Sequence, residues 1–361
     1  MTSFVRVWPR PELEIHGGRY RRVVQTWSDA MASALYGPDG FYRSTSPEQH
    51  FRTSANASTL LAESLATLVA SVDRALGHPS RLDLVDVGTG DGQLLADTCS
   101  LVPVELCERL APLGVEVRPR PPSLSSTVGW TDTLPAHLTG LVIAHEYLDN
   151  VPCDVVEVTE GARLSVVEVE PTSGEEFTPH TPSDQQSAWM AEWWPLGEPG
   201  DRAEIGIERD AAWSKVMGAL DRGVGVAIDY GHIASERASG RYGPGTLTGY
   251  RDGHQVIPIP DGSCDITAHV AVDACASAGV AAGADSTALM RQADVLRALG
   301  LNAQRPPLDL ARSDPAAYVH ALSRASQAVE LLDPSSLGGF WWLLQAKGCT
   351  PDLKEIEWIQ R

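Results

Sequence analysis

Hydrophobic and polar positions follow two different periods along this chain. Through residues 20–36, "YRRVVQTWSDAMASALY", and 57–76, "ASTLLAESLATLVASVDRAL", apolar residues recur every three or four positions, which predicts two amphipathic helices. Between them "GPDGFYRSTSPEQHFRTSAN" is rich in turn formers and reads as a loop long enough to be functional. Ser54 or Asn56 is placed to cap the second helix. From Leu82 the pattern shortens. "LDLVDV" (82–87), "LGVEV" (113–117), "LVIA" (141–144), "DVVEV" (154–158) and "VGVAIDY" (224–230) are β-like runs. Helical stretches separate them, among them "QLLADTCSLVPVELCERL", which Pro103 must interrupt. Two helical runs, 286–299 and 314–332, and a last strand in "GFWWLLQAKG" (339–348) complete the pattern.

This alternation predicts an α/β protein with a mostly parallel, doubly wound, Rossmann-like sheet. Residues 1–80 read as a helical N-terminal cap on the substrate side, and 81–348 as the α/β domain. An insertion at about 159–221 is longer than a crossover needs and holds the Trp-rich "AWMAEWW"; residues 349–361 form a tail.

Composition narrows the function. Hydrophobic residues make up 43% of 361 and charged residues 21%, ample for a core. Runs such as "GLVIA" and "GVGVAI" fall far short of the roughly 20 apolar residues a membrane helix needs. The first residues lack the apolar core of a secretion signal, so a cytoplasmic protein without membrane insertion is expected. Six scattered cysteines without a C-x-x-C pair point away from a zinc ribbon or disulfide framework and toward a reducing compartment. The histidines form no H-E-x-x-H or H-x-x-x-H pattern, so no metal is expected. Asp and Glu number 47 against 28 Lys and Arg, a net charge of −19. That field disfavours nucleic acid and suits a basic protein substrate.

Ligands of open α/β sheets bind outside the carboxyl ends of strands. The first such end reads "VDVGTGDG", with Gly88, Gly90 and Gly92 in G-x-G-x-G spacing. A dinucleotide fingerprint would place its third glycine one residue later, where Gln93 stands. Asp86 precedes the bend and Asp91 lies inside it. A carboxylate facing a pyrophosphate at ~4 Å costs ~4 kcal/mol at an effective dielectric of 20, more than a helix dipole returns. S-adenosylmethionine carries a sulfonium and an ammonium and no phosphate, so glycines admit it and carboxylates match its charge. A strand–helix turn without ligand is the competing reading. Glu116 ends the second strand 24 residues after Gly92, near the offset at which an acid meets ribose hydroxyls. After the strand at 141–144 come His145, Glu146, Asp149 and Asn150; the two acids converge if that segment turns helically, and could then orient a guanidinium. "IDYGH" adds Asp229, Tyr230 and His232, and "CDITAHV" adds Asp265, Thr267 and His269. A structural, hydrogen-bonded role is the alternative for each histidine.

Taken in order, "GFY" (40–42), "HFRTS" with "ASTLLAESLA", "VDVGTGDGQLLAD", "AHEYLDNVPCDVVEV", "AIDYGH", "GTLTGYRDGH" and "CDITAHV" resemble the MidA family of methyltransferases. That family includes the mitochondrial complex I assembly arginine methyltransferase. The resemblance runs from about residue 36 to 300 and implies a class I methyltransferase fold, a seven-stranded sheet whose last strand is antiparallel. It also implies S-adenosyl-L-methionine held by Asp86, Gly88, Gly90, Gly92 and Glu116. By the same likeness the loop 41–53 lies at the mouth, with Thr53 toward the cofactor and Phe41, Tyr42 and Phe51 toward substrate. His145, Tyr230 and Asp265 join the substrate set, and Glu146, Asp149, Asp229 and His269 form the catalytic set. The chain departs from the family's habit at Ala55-Asn56, where Pro-Glu is common, at His145, where Asn is common, and at "RPRP" (118–121), where the strand end usually enters a Ser-Pro turn.

Three functions follow as expectations. The first is a methyltransferase acting on a protein arginine side chain. The second is a cofactor-binding assembly factor with weak or no catalysis, motivated by the departures. The third is a nicotinamide-dependent oxidoreductase, which the glycine spacing and Asp91 oppose.

Overall fold

The run "LDLVDV" is buried at all six positions, as a central strand covered on both faces must be. In the computed structural model, which describes residues 23–44, 59–353 and 355–360, it is the first strand of a sheet that carries the glycine bend. Expectations for 1–22 and 45–58, including Phe51, Thr53, Ser54 and Asn56, lie outside the described residues. Two units make up the fold. One comprises Arg52–Asp149, Arg209–Ile233 and His269–Arg361; the other comprises Met1–Phe51, Asn150–Glu208 and Ala234–Ala268.

Among the described residues of the first unit, eight strands form one sheet. They are β1 (Leu82–Val87), β2 (Leu110–Val115), β3 (Gly129–Thr131), β4 (Leu138–His145), β5 (Leu220–Asp229), β6 (Ser286–Arg291), β7 (Trp341–Lys347) and the two-residue edge β8 (Ile359–Gln360). Their order is β8-β6-β7-β5-β4-β1-β2-β3. Neighbours from β3 through β5 are parallel, whereas β7 runs antiparallel to both β5 and β6. This is the doubly wound sheet with an antiparallel last strand, extended by one short edge strand. Helix α1 (Thr59–Ala75) and helix α2 (Gln93–Leu101) supply apolar faces, and Leu61, Leu65, Leu68, Leu95, Ile143 and Val226 sit in the resulting core. Helix α3 (Ile207–Ala219) leads into β5. None of the described helices is long and apolar enough to cross a membrane.

In the second unit the sheets are antiparallel. Asp154–Val158 pairs with Leu164–Val169 and Arg202–Ile205, and Thr248–Arg251 pairs with His254–Val256 and Asp265–Thr267. Helix Trp27–Tyr36 buries Trp27, Ala30, Met31, Ala34 and Leu35, the three-and-four spacing visible in the sequence. Thr26 caps it, accepting from the Asp29 amide at 3.3 Å. The Trp-rich stretch is a helix, Asp184–Trp193, begun by a reciprocal cap between Ser183 and Gln186.

Two expectations are corrected. "DVVEV" is a strand, but it belongs to the antiparallel sheet of the second unit, because its backbone partners are 164–169 and 202–205. Residues 286–291 are strand β6 and not the start of a helix; only Gln292–Ala298 is helical. Pairing with β7 along the whole of "STALMR" overrides the helix propensity of its Ala, Leu and Met.

Candidate active site

The carboxyl ends of β1, β2, β4 and β5 end level with one another: Val87 lies opposite Val115, Asp86 opposite Ile143, and His145 opposite Ile228. The residues that follow these ends therefore share one edge of the sheet. The bend after β1 places Gly88, Gly90 and Gly92 at φ of 72°, 65° and 79°, where a side chain would be strained. At Gly88 a Cβ would also come within 2.9 Å of Cδ2 of Tyr147, so the ring of Tyr147 rests on the bend. Around Gly90 the nearest group is the Arg118 guanidinium, 3.5 Å from a would-be Cβ, and Gly92 abuts Leu124 and Trp130.

The acids around the bend do different things. Glu116 Oε2 accepts from the Gly90 amide at 3.0 Å, and its Oε1 accepts from the Arg118 amide at 3.1 Å. The Arg118 side chain lies 3.7 Å from the same carboxylate. Asp86 is buried and accepts from the Thr89 hydroxyl at 2.6 Å. Burial, with the nearby charges of Glu116 and Asp91, pushes its carboxyl up to about 7 against the Thr89 hydrogen bond. Asp91 accepts from the Gln93 amide at 2.9 Å, which occupies one of the free donors at the start of α2. The donors a diphosphate would use there are thus shared with a carboxylate already in place.

A second group gathers after β4 and β5. His145 is buried, which pulls its imidazole down to about 4 and leaves it neutral near pH 7; its Nε2 lies 3.3 Å from Glu146 Oε1. Glu146 takes a φ of 47°, a conformation uncommon for a side-chain-bearing residue, and its amide donates to the Ile228 carbonyl at 2.8 Å. Residues 146–150 form bends and a turn, so the two acids do not share a helix face. They converge on Asp229 instead. Its Oδ2 accepts from the amides of Leu148 and Asp149 at 3.0 and 3.2 Å, while Oδ1 is buried without a hydrogen-bond partner among the described residues. Burial first, then the charges of Asp149 and Glu146, hold the Asp229 carboxyl well above its ordinary range. The Tyr230 hydroxyl donates to Asp149, and the Tyr230 ring meets His269 edge-on at a centroid distance of 5.3 Å. His269 is also 6.3 Å from the ring of His232.

Sequence reasoning missed two residues here. Arg209, on α3 and 1% exposed, donates to the carbonyls of Asp149 and His269 at 2.8 and 2.9 Å, and so ties the two segments together beneath the acids. Its charge opposes the rise in the Asp229 carboxyl. Tyr147 stands between two residues that were singled out, and only its contact with Gly88 reveals it.

The remaining substrate candidates lie in the second unit. The Tyr42 hydroxyl donates to Asp265 Oδ1 at 2.8 Å, and Asn150 Nδ2 donates to the same oxygen at 3.2 Å. Phe41 is buried and meets Tyr42 edge-on, with ring centroids 5.6 Å apart.

A doubly wound sheet with an antiparallel last strand, a glycine bend lined by acids and a carboxyl-rich edge defines a class I methyltransferase. The family model described as "Putative S-adenosyl-L-methionine-dependent methyltransferase" matches residues 105–290, more than half of the chain. The chain belongs to that family and is an S-adenosyl-L-methionine-dependent methyltransferase; the matched stretch begins after the glycine bend. A crystal structure of a COG1565 superfamily member from Burkholderia thailandensis, bound to S-adenosyl-homocysteine, superposes with a TM-score of 0.77 at 24% identity, covering 92% of each chain. A native structure of a COG1565 superfamily protein from the same organism gives 0.75 at 25% identity, covering 92% of this chain and 91% of that one. A search of proteins with curated functions finds no match.

Proposed function

We propose that the chain transfers the cofactor's methyl group to an arginine side chain of a protein. The observation that carries this reading is the convergence of Glu146 and Asp149 on a buried Asp229 with Arg209 beneath them. The acids of this cluster carry the charge that attracts a cation, and Arg209 is held by the backbone carbonyls of Asp149 and His269. An arginine side chain stays protonated in solution and needs carboxylates to orient it and share its charge before a nitrogen can act as nucleophile. Glu146 is the first candidate for that task and Asp149 the second, with Asp229 and His269 supporting them and His145 and Tyr230 flanking the acceptor. Asp265 and Tyr42, with Phe51, are proposed to contact the protein substrate, and the buried Phe41 to act on it by holding Tyr42. Catalysis is then mainly positioning, because the displacement at the methyl is in line.

The residues of the bend fit the cofactor. Gly90 leaves space for its body, and Asp86 and Glu116 match its positive charges better than they match a phosphate. The cofactor supplies an electrophilic methyl group; Glu116 is placed to accept from ribose hydroxyls, with Asp86 behind the bend and Thr53 assigned to the same pocket. The S-adenosyl-homocysteine bound to the Burkholderia thailandensis relative supports a cofactor of this kind. The acidic surface, a net of −19, suits a basic protein and a cytoplasmic setting without nucleic acid.

Incubating the purified chain with labelled cofactor and a cell lysate, then mapping methylated residues by mass spectrometry, tests the reading. Methylarginine in a defined protein is the expected result. Label confined to lysine, to carboxylates or to small molecules removes the arginine assignment, and cofactor binding without any transfer favours a scaffold.

A further inference from the structure

The glycine bend has two chemically different ends. At Gly90 it is bound to the Glu116 carboxylate beside the Arg118 guanidinium, both polar. At Gly88 it abuts an aromatic ring, with Cδ2, Cβ and Cγ of Tyr147 at 2.9, 3.4 and 3.5 Å from a would-be Cβ. This inference rests on the cofactor placement proposed above. If the ribose meets Glu116, the other end of the donor runs across the bend toward β4, and Tyr147 is the side chain that walls that end.

We propose that the ring of Tyr147 is the surface against which the sulfonium rests, and that it makes the site distinguish the charged methyl donor from its uncharged, demethylated product. An aromatic face attracts a cation through its quadrupole, most strongly where water is excluded. The thioether left after transfer carries no charge, so it forfeits that attraction while keeping its other contacts. The setting suits the task. Burial raises the phenol of Tyr147 above its ordinary value and keeps it neutral, and the neutral imidazole of His145 adds no competing positive charge. Asp86, pushed up to about 7, is only partly ionised near neutral pH and leaves part of the charge recognition to another group.

Calorimetric titration of the full chain with S-adenosylmethionine and with S-adenosylhomocysteine tests this without any acceptor substrate. Tyr147→Leu is expected to weaken the donor about fivefold or more and the product within about twofold, whereas Tyr147→Phe leaves both unchanged. A fluorinated phenylalanine in place of Tyr147 keeps the shape but empties the ring face. It should reproduce the loss of preference, and it keeps the test open if the leucine variant fails to fold. An equal loss for both ligands in Tyr147→Leu, or an undiminished preference with the fluorinated ring, overturns the proposal. Wild-type protein that binds neither ligand overturns the cofactor placement instead.

Discussion

The carboxylate of Glu116 accepts a hydrogen bond from the amide of Gly90 at 3.0 Å, joining the end of β2 to the bend after β1. One side chain therefore shapes the bend and, in the proposed placement, also faces the ribose. Removing it should have two effects. Glu116→Ala is expected to weaken cofactor affinity about 10- to 100-fold, the value of hydrogen bonds to a charged group. It should also speed amide exchange at Gly90. Affinity lost with no change in exchange would separate the two roles, and unchanged affinity would take Glu116 out of the pocket.

Gly90 sits at φ 65° with only the Arg118 side chain nearby among the described residues, so strain more than crowding by these opposes substitution. Gly90→Ala should cost about 1–2 kcal/mol of stability, with a measurable loss of cofactor affinity. Gly90→Val, β-branched, should abolish binding. Retained affinity in the valine variant, read by calorimetry, argues against this bend as the pocket.

Asp86 and His145 give the apoprotein opposing pH responses. The folded Asp86 carboxyl, raised to about 7, holds a proton that the unfolded chain has released, so its contribution to stability falls as pH rises from about 4 to 7. His145, lowered to about 4, does the reverse: the unfolded chain binds the proton first, and stability rises with pH from about 4 to 6.5. Asp86→Asn removes the first response and should stabilise the apoprotein above pH 7, by up to about 4 kcal/mol, while weakening cofactor binding. Thermal melts between pH 4.5 and 8 check the sign. In the wild type, cofactor binding near pH 7 should release part of a proton, visible as a dependence of binding heat on the buffer.

Glu146→Gln preserves shape and removes a charge. Cofactor affinity should stay within about threefold while single-turnover methyl transfer falls about 100-fold or more, the usual scale for a group that handles a proton or charge in the transition state. Normal turnover would shift the role to Asp149.

Arg209 is buried, donates to the carbonyls of Asp149 and His269, and lies close enough to Asp229 to oppose its rise. Arg209→Met leaves those carbonyls without their donor and the acids without their internal cation, a loss of about 3–5 kcal/mol. A chemical-denaturation midpoint that barely moves would show that the cluster rearranges to compensate.

Much of this was legible from local pattern. The buried run 82–87, the glycine spacing and the acid at 116 each depend on neighbours in sequence, and the structure puts them where strand-end reasoning expects. The carboxyl cluster was legible as residues but not as geometry. Glu146 and Asp149 would converge on a helical turn, yet the segment bends, and Asp149 is instead held through its amide by Asp229, 80 residues further on.

By itself, the chain determined which stretches are apolar on one face and which are apolar throughout, where the backbone must turn, and which strand ends carry acids. Those properties follow from side-chain chemistry and backbone sterics within a few residues. Tertiary structure alone decided that 154–158 leaves the parallel sheet, that 286–291 extends as a strand, that Glu116 holds the Gly90 amide, and that Tyr147 covers Gly88. Each of these turns on which distant backbone or side chain supplies the partner for a buried polar group or fills the space beside a missing Cβ. Periodicity reports a face, never the surface that will cover it.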